Sequence, residues 1–417
     1  MKLYSENDSY KIYNGDMLDM LQVIKPKSID AIVCDPPYEL GFMNKSWDST
    51  GIAFKKETWQ NCFEVLKPGG YLLAFGGSRT YHRIACAIED AGFEIRDCVM
   101  YLYGTGSPKS CNIGLAIDKK NGVENRTGNI RTDGVNNQNI CYDFKAMKPK
   151  FEERIAQNEW QGWGTCLKPA YEPIIVARKP FKGSVVDNII KYRVGGINID
   201  GCKIGNEKRT QFCGKSNGRI YSEYSQKNAH FETVEGRFPA NVITDGSEEV
   251  AKGMPNTTST PIAEESAMRY FYSAKASKKD RDEGLDAFEE RKTTDGCIRA
   301  NVETARKFGA NSALRKNIHP TCKPTELMQY LVRLVSPKGA TILDPFMGSG
   351  STGKAVMFEN RERDANYKFI GIELTDEYLP IAQARIEYAR DKFKYDLEQE
   401  KVTKGKQNIF DFMESED

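Results

Sequence analysis

The 417-residue chain lacks the patterns of several protein classes. It has no run of roughly 20 apolar residues, the length that a membrane-spanning helix needs, so no membrane partner is expected. Its first residues, MKLYSENDSYKIYNGD, contain no apolar stretch of the kind that forms a secretory signal. Internal repeats of a useful period are also absent. We therefore expect a globular protein of the cytoplasm.

Metal-binding and disulfide patterns are missing as well. The 11 cysteines have scattered spacings without a CxxC pair, and the three histidines, His82, His230 and His319, lie far apart. Such spacing predicts no zinc site, no other metal site and no disulfide framework. Cys322 is expected only to pack, and His319 to form hydrogen bonds rather than to transfer protons.

The net charge of +2 hides an uneven distribution. Residues 107–316 carry about +8 and the two ends together about −6. A basic middle suits contact with a polyanion, but a solvated surface with a chance asymmetry explains it equally well. The same two interpretations apply to the cluster at 273–281 and to a basic stretch with interleaved aromatic residues. That stretch comprises Lys191, Arg193, Lys203, Lys208, Arg209, Lys215 and Arg219, with Tyr192, Phe212 and Tyr221.

Strand-like and helix-like segments alternate at both ends of the chain. Short apolar runs that end in turn residues predict strands, and amphipathic stretches predict helices between them. The predicted strands are 10–16, 30–37, 71–77, 94–103, 170–180, 340–346 and 369–374. The predicted helices are 55–67, closed by Pro68 and Gly69, then 82–93, 323–339, one that begins at Ser351 and one with Thr375 as N-cap. This alternation indicates an α/β protein with a parallel sheet covered on both faces.

The alternation is interrupted in the middle of the chain. Residues 105–170 and 182–316 are rich in Gly, Asn, Ser, Thr and Lys and have few apolar runs. Residues 121–140 are polar enough to predict a mobile loop. We expect one domain built from 1–181 and 317–417, with a mobile excursion at about 105–170, and a second region at 182–316.

The first chemical motif is Asp35-Pro36-Pro37-Tyr38, directly after the predicted strand AIVC. Ligands of open α/β sheets bind at strand ends. An exocyclic amino group of a nucleobase is a weak nucleophile because its lone pair is delocalised into the ring. Hydrogen bonds from both amino protons, to Asp35 and to the Pro36 carbonyl, direct that lone pair at an incoming methyl group. Tyr38 offers a face on which a base turned out of the duplex stacks. By itself the motif also fits an ordinary strand-end turn.

The second motif is DPFMGSGSTG at 344–353, a glycine-rich turn between a predicted strand and a predicted helix. Such a turn lets a ligand approach the backbone at a helix N-terminus. Its glycine spacing equals the dinucleotide fingerprint, and Glu373 ends the next strand, where an acidic residue holds ribose hydroxyls. The motif therefore fits NAD and S-adenosylmethionine alike. Its candidate cofactor residues are Asp344, Phe346, Gly348, Gly350, Ser351 and Thr352.

The position of the second motif distinguishes the two cofactors. A dinucleotide-binding half needs further strands after Glu373, but only one helix and a tail remain. The missing strands must come from the N-terminal part of the chain, which makes the domain circularly permuted. This arrangement brings Asp16, Asp35, the turn at 348–353 and Glu373 to one edge of the sheet.

In this order the motifs resemble the beta-arrangement amino-methyltransferases, in which the catalytic motif precedes the cofactor motif. The matching segments are NGDML (14–18), AIVCDPPY (31–38), HPTCKP (319–324), ILDPFMGSGSTG (342–353) and FIGIEL (369–374), and further segments resemble phage or prophage members. The resemblance implies a circularly permuted, Rossmann-like S-adenosylmethionine-dependent methyltransferase sheet. It implies that the inserted region at 182–316 recognises the target.

The resemblance also implies roles for single residues. Asp16 would contact the adenosine part of the cofactor and Lys323 its methionine end. Phe346 would lie against the adenine ring, Glu373 would bind the ribose, and Asp35 would serve both the cofactor and the target base. Trp47 follows the catalytic motif in a loop that either closes over the base or probes the DNA, and packing in the core is an equal alternative.

The function implied by the resemblance is site-specific methylation of the 6-amino group of adenine in double-stranded DNA by base flipping. Asp rather than Ser at position 35 favours adenine, whereas the 4-amino group of cytosine is the nearest alternative because its chemistry is nearly the same. An NAD-dependent oxidoreductase and a catalytically inactive DNA-binding module are remoter alternatives. The resemblance leaves open a homodimer and a cognate restriction endonuclease, in a bacterial or phage-infected cell.

Overall fold

The structure, a computed structural model, describes residues 2–41, 46–104, 106, 110–123, 155–213, 230–260, 263–274, 278–292 and 314–391. The chain divides into two compact units. The first comprises residues 1–104 and 171–417, and the second comprises residues 105–170.

Short strands and helices alternate along the chain. The strands are β1 (Lys2–Glu6), β2 (Tyr10–Asn14), β3 (Ile29–Cys34), β4 (Leu66–Phe75), β5 (Glu94–Leu102), β6 (Tyr171–Arg178), β7 (Ile204–Cys213), β8 (His230–Arg237), β9 (Val242–Thr244), β10 (Asn256–Thr260), β11 (Ala263–Ser266), β12 (Tyr272–Ser273), β13 (Arg291–Lys292), β14 (Leu314–Arg315), β15 (Thr341–Asp344) and β16 (Lys368–Glu373). The helices are α1 (Met17–Leu21), α2 (Lys56–Val65), α3 (Tyr81–Asp90), α4 (Ile113–Lys120), α5 (Val185–Tyr192), α6 (Glu248–Gly253), α7 (Lys278–Asp282), α8 (Thr325–Val335), α9 (Ser351–Arg363) and α10 (379–391).

Ten strands form one sheet, in the order β1-β2-β16-β15-β3-β4-β6-β5-β9-β12. Neighbouring strands are parallel except for the pairs β1–β2, β4–β6 and β6–β5, which are antiparallel. The strands β15 and β16, from the C-terminal part of the chain, lie between β2 and β3 from the N-terminal part. The predicted circular permutation and the mostly parallel α/β sheet are therefore confirmed.

The central strands are covered on both faces, as predicted. In β3, Ala31 and Val33 join the apolar cluster under α8 and α9, whereas Ile32 and Cys34 join the cluster under α1, α2 and α3. This alternation follows from the two-residue repeat of a strand. A strand buried on both faces is apolar nearly throughout, and every residue of β3 is buried.

Two element boundaries differ from the predictions. Helix α2 ends at Val65 because Leu66 already pairs with Ile29 and begins β4. β4 therefore includes Pro68 and Gly69 in its irregular first part rather than starting after them. Thr375 is not a helix N-cap, since residues 376–378 form a turn and α10 begins after it.

Parts of the region 182–316 belong to the first unit and to its main sheet. β9 pairs with β5, and β12 pairs with β9, so the two short strands extend the sheet at the end away from β1. The Tyr101 hydroxyl of β5 also donates to the carbonyl of Ala274, just after β12, at 3.4 Å. The chain beyond residue 182 thus returns to the body that carries the two motifs.

The second unit is the segment 105–170, over which the sequence departs from the strand–helix alternation. Its helix α4 carries Asp118, a buried carboxylate that accepts from the Gln157 N–H at 2.8 Å and from the Asn158 amide at 2.6 Å. These bonds join the helix to the segment that closes the unit. The loop predicted over 121–140 lies outside the described residues, apart from its first three positions.

Candidate active site

The carboxyl ends of the parallel strands β2, β16, β15, β3 and β4 lie at one edge of the sheet. Asp16 follows β2, Glu373 ends β16, Asp344 ends β15, and Asp35 directly follows β3. The structure therefore brings to one edge the carboxylates that come from opposite ends of the sequence. This is the edge at which open α/β sheets bind their ligands.

Asp35 is paired through only one of its carboxylate oxygens. Its Oδ2 lies 2.8 Å from the ammonium group of Lys323. Its Oδ1 is buried and has no hydrogen-bond partner among the residues that the structure describes. A buried acceptor without a donor costs about 1–3 kcal/mol, which a ligand that donates to it recovers. Burial raises the pKa of Asp35 above its usual range, although the charge of Lys323 opposes the shift.

The ammonium group of Lys323 is surrounded by carboxylates and aromatic rings. Besides Asp35 it contacts Glu172 Oε2 at 3.2 Å and donates to the Tyr38 hydroxyl at 3.1 Å. It lies 4.9 Å from the centroid of the Phe75 ring, within reach of a cation–π contact. Burial by itself lowers the pKa of Lys323, but the two carboxylates outweigh burial and raise it. The lysine is therefore charged.

The backbone around Tyr38 is fixed by hydrogen bonds from neighbouring loops. The Thr80 hydroxyl donates to the Tyr38 carbonyl at 2.8 Å. Glu39 has a φ of 55°, a left-handed conformation that needs support from its surroundings. Its N–H donates to buried Asp48 at 2.9 Å, and its carboxylate accepts from the Gly51 N–H at 2.7 Å. No pattern in the sequence points to Asp48, which holds the loop after the catalytic motif.

Two carboxylates hold the glycine-rich turn between β15 and α9. Asp344 accepts from the Phe346 N–H at 3.1 Å and from the Thr352 hydroxyl at 2.6 Å. Glu373 accepts from the Gly348 N–H at 2.7 Å. Burial raises the pKa of Asp344 to about 7, although its two hydrogen bonds oppose the shift. The turn is thus supported from within by the strand ends on either side.

The glycines of the turn are required by space as well as by conformation. Gly348 and Gly350 have φ values of 52° and 75°, in the left-handed region that glycine adopts without strain. A Cβ on Gly348 would lie 2.7 Å from Nε2 of His319, and one on Gly350 would lie 2.9 Å from the Cα of Ala382. The backbone of the turn is therefore packed closely against the HPTCKP segment and α10.

His319 is enclosed by aromatic rings and is uncharged. Its ring lies 6.4 Å from the Trp47 ring, nearly parallel to it, and 4.5 Å from the Tyr378 ring. Burial, together with the charges of nearby arginines and Lys323, lowers the pKa of His319 to about 3. Trp47 is half-buried beside the His319 ring and belongs to neither apolar cluster. Its closing over the base or probing the DNA stays a prediction. A neutral imidazole there suits packing and hydrogen bonding rather than proton transfer.

Cys322 has a more polar environment than the sequence predicts. Its Sγ lies 3.5 Å from the Ser351 hydroxyl at the start of α9. Burial raises the pKa of a thiol, but Arg385 and the hydroxyls of Ser349 and Ser351 outweigh burial here and lower the pKa of Cys322. The expectation that this cysteine only packs is therefore corrected.

A buried ion-pair network behind the glycine turn joins four helices. Asp280 of α7 accepts from the N–H of Thr325, which begins α8, at 2.8 Å, and from Lys354 of α9 at 2.8 Å. The fully buried side chain of Lys354 also contacts Glu283 at 3.0 Å. Arg385 of α10 donates to the carbonyl of residue 349 in the turn at 2.7 Å. The segment 273–281, interpreted from the sequence as a DNA-facing or solvated basic cluster, thus contains Asp280, a carboxylate that braces the site.

A family model described as DNA methylase matches residues 29–384 of the chain. The chain belongs to this family. It is similar to the type II methyltransferase M.HindIII of Haemophilus influenzae, at 24% identity over 229 residues, which are 45% of this chain and 64% of that protein. It is similar to the DNA adenine methyltransferase YhdJ of Escherichia coli, at 38% identity over 71 residues, 17% of this chain and 22% of that protein. The solved structure of the cytosine-N4-specific PvuII DNA methyltransferase is 14% identical with a TM-score of 0.40, covering 91% of this chain and 86% of that chain.

The cofactor of this methylase is S-adenosylmethionine, the cofactor of its family. The NAD-dependent alternative is thereby dropped. The site fits the cofactor, because the turn has glycine where a side chain has no room and a carboxylate follows at the end of β16. In the described part of the chain, no cluster of three or more His, Cys, Asp or Glu side chains is arranged to hold a metal ion. No described helix is long and apolar enough to cross a membrane.

Lys191 and Arg193, two basic residues of the middle, lie away from Asp35 in the methylase structure. Helix α5, which carries Lys191, contacts the start of β4 through Asn188, whose amide donates to the Pro68 carbonyl at 3.0 Å. The other end of β4, at Phe75, contacts Lys323, and a strand of this length separates the two ends by roughly 20 Å. Arg193 directly follows α5, and Lys203 pairs with Asp200 at 2.8 Å. Lys215, Arg219 and Tyr221 lie outside the described residues.

Proposed function

We propose that the methylase transfers the methyl group of S-adenosylmethionine to the 6-amino group of adenine at a specific sequence in double-stranded DNA. The buried, unpaired Oδ1 of Asp35 is the observation that carries this proposal. An amino group is a donor with two protons, and a free carboxylate oxygen at a ligand-binding strand edge is the acceptor that it needs.

Asp35 and the residues after it form the proposed base pocket. Asp35 Oδ1 accepts one amino proton, and the Pro36 carbonyl, held by the two prolines of the motif, accepts the other. The nitrogen lone pair is then directed toward the methyl group, and transfer occurs by direct displacement. The ring of Tyr38, fixed at its carbonyl by Thr80, provides the stacking face for the flipped base. Alignment and hydrogen bonding, rather than a strong base, supply the rate enhancement.

The other half of the site is proposed to hold the cofactor. When bound, S-adenosylmethionine supplies a methyl group activated by a positive sulfonium. Glu373 accepts two N–H groups, one at each oxygen, and retains lone pairs for the ribose hydroxyls. Phe346, partly buried against Trp59, offers its ring to the adenine. Lys323 meets the methionine carboxylate, and Asp16, which caps α1, meets the adenosine part.

Adenine is proposed as the target base on comparative grounds. Asp35 is the residue that favours adenine at this position, and the relative from Escherichia coli is named a DNA adenine methyltransferase. The 4-amino group of cytosine presents the same pair of protons, so the geometry of the acceptors serves both bases. The product nucleoside decides between them.

We propose that DNA is read by the region 182–316 outside the elements that it contributes to the catalytic body. β9, β12 and α7 extend the sheet or brace the glycine turn, which leaves the β7–β8 hairpin and its surroundings as the candidate reading surface. Chain 1–181 and chain 317–417 form the catalytic body of this proposal. The protein then acts on the DNA of the cell that makes it.

The function is tested by incubating the purified chain with methyl-free plasmid DNA and tritiated S-adenosylmethionine. The DNA is digested to nucleosides, which are separated and identified by mass. Label in N6-methyl-2′-deoxyadenosine is the expected result. Label in N4-methylcytosine overturns the base assignment and keeps the mechanism, whereas no label in any base, with the cofactor bound, overturns the proposed activity.

A further inference from the structure

Glu172 stands at the catalytic edge because one strand of the sheet runs backwards. β6 is antiparallel to both β4 and β5, so its first residues lie beside the carboxyl ends of its neighbours. Glu172 is the second residue of β6 and is 25% exposed. Its Oε2 accepts from the Tyr38 hydroxyl at 3.3 Å and contacts the Lys323 ammonium at 3.2 Å. The first residues of β6 thus place the Glu172 carboxylate at the edge where the parallel strands have their carboxyl ends.

These contacts link Glu172 to both partners of the acceptor. Tyr38 is anchored at its carbonyl by Thr80, and its hydroxyl interacts with both Glu172 and Asp35. Lys323 is held between Asp35 and Glu172 rather than by Asp35 alone.

Glu172 also sets the charge of the pocket. Asp35 and Lys323 by themselves form a neutral pair, and Glu172 adds one negative charge beside it. Methyl transfer begins with a positive sulfonium and ends with a positive charge on the amino nitrogen. Because charges interact strongly in a partly buried site, a pocket with one excess negative charge stabilises that migrating positive charge.

We propose that Glu172 is a positioning residue for methyl transfer, which holds Tyr38 and Lys323 in place and gives the base pocket its net negative charge. This inference rests on the proposed function of the site. Glu172 need not touch the base, since it acts through the two side chains that it binds.

The charge of Glu172 also affects how the rate of methyl transfer depends on pH. The titratable and charged groups that face Asp35 are Lys323, Glu172, Tyr38, Cys34 and Asp344. Burial raises the pKa of Asp35, Lys323 lowers it, and the negative charge of Glu172 raises it further. Transfer needs the ionised form of Asp35. Removing the charge of Glu172 therefore lowers the pKa of Asp35 and moves the acid limb of the rate profile to lower pH.

The test compares three variants of the full chain with the wild type on methyl-free plasmid DNA and tritiated S-adenosylmethionine. Glu172→Gln keeps the shape and removes the charge, and Glu172→Asp keeps the charge and shortens the reach. Glu94→Gln is the matched control. Glu94 of β5 pairs with Arg178 of β6 at the ends of these strands that lie away from Glu172. For each protein kcat is measured from pH 5 to pH 9, together with KM for the cofactor and the melting temperature.

The expected result separates the variants. Glu172→Gln lowers kcat roughly tenfold with KM for the cofactor within about threefold, and its acid limb moves to lower pH. Glu172→Asp lowers kcat without moving the acid limb, and Glu94→Gln resembles the wild type. An acid limb of Glu172→Gln that stays in place or moves upward overturns the inference, as does an unchanged kcat. If the wild type labels no base at all, the proposed function fails instead, and the two failures are distinguishable.

Discussion

The two halves of the site treat their carboxylates differently. In the glycine-turn half, Asp344 accepts at both oxygens, and Glu373 accepts from one N–H at each of its oxygens. In the base half, Asp35 uses one oxygen for Lys323 and keeps the other buried and unpaired among the described residues. The first pattern stabilises a loop, and the second reserves an acceptor for a ligand. On the proposed function, the half that holds the cofactor is preformed, whereas the half that holds the base is completed by its substrate.

The largest expected effect comes from removing the reserved acceptor. Asp35→Ala is expected to lower the rate of methyl transfer at least about 10³-fold, because the amino group loses the hydrogen bond that directs its lone pair. Because Asp35 also pairs with Lys323, the proposed partner of the methionine carboxylate, the Kd for S-adenosylmethionine is expected to rise as well, but by less than about tenfold. Rapid-quench single turnovers and equilibrium dialysis measure the two quantities. Asp19→Ala, at an exposed position of α1, is the control, and an equal loss of binding and transfer contradicts the division of the site.

The next effect concerns the structural carboxylate Asp344 and how its contribution to stability depends on pH. Asp344 has a folded-state pKa of about 7, above its usual value, so the folded state binds the proton more tightly than the unfolded state. The stability from this group is present below about pH 4 and is lost as the pH rises to about 7, by roughly 4 kcal/mol at most. Asp344→Asn cannot ionise and is expected to gain stability relative to the wild type over that range. Urea unfolding at several pH values measures the difference, and parallel pH profiles contradict the prediction.

The brace behind the glycine turn is expected to matter somewhat less. Lys354→Met leaves Asp280 and Glu283 without their buried partner and is expected to cost about 3 kcal/mol of the free energy of unfolding. The same change at Lys252, which pairs with Glu248 on the surface, is expected to cost less than about 0.5 kcal/mol. Urea unfolding of both variants provides the measurement. Equal costs would show that the buried network contributes no more than a surface pair.

The backbone of the turn gives a smaller effect that tests its close packing. Gly350→Ala combines a left-handed φ with a Cβ 2.9 Å from the Cα of Ala382, and is expected to cost about 2 kcal/mol. Gly253→Ala is the matched control, because a Cβ there meets nothing within 4 Å and its φ is not positive. The Gly350 variant should also bind S-adenosylmethionine more weakly. Unchanged stability and affinity would mean that α10 moves to accommodate the added Cβ without loss of folding free energy.

The smallest expected effect concerns Lys191 of α5, near the amino ends of the parallel strands. Lys191 of α5 lies near the start of β4, roughly 20 Å from the end that contacts Lys323. Lys191→Ala is therefore expected to change the Kd for plasmid DNA less than about twofold and to leave its salt dependence unaltered. Filter binding at several salt concentrations tests this. A reduced salt slope would place α5 on the DNA-binding surface.

The sheet and the placement of the motifs follow from local sequence patterns. β3 is predictable because a strand covered on both faces is apolar nearly throughout, and Asp35 is predictable as a strand-end residue because it follows directly. The circular permutation is indicated by the order of the motifs, since the DPPY motif precedes the glycine-rich turn in the sequence, and the strand order confirms it. The direction of β6 does not follow in this way, because a strand has the same apolar pattern whether it runs parallel or antiparallel to its neighbours.

Local sequence patterns do not predict the supporting residues of the site, because the partners of these residues are distant in sequence. Glu172 is 134 positions from Tyr38, and Asp280 is 74 positions from Lys354. Which carboxylate meets which cation depends on the packing of whole strands and helices. Composition shows only that both kinds of residue are present. The role of Arg385, which is fully buried behind the turn, is equally unpredictable, because its sequence context is that of an ordinary amphipathic helix.

The measurement that tests the central claim most directly is base-resolved methylation mapping of DNA from a methylation-free bacterial host that expresses this chain. Cells that express Asp35→Ala at the same level are mapped beside it. The account predicts a 6-methyladenine mark at one short sequence with the wild type and no mark with the variant. A mark that persists in the Asp35→Ala cells, or the absence of any mark with soluble, cofactor-binding wild-type protein, would contradict the assignment of Asp35 as the acceptor for the amino group.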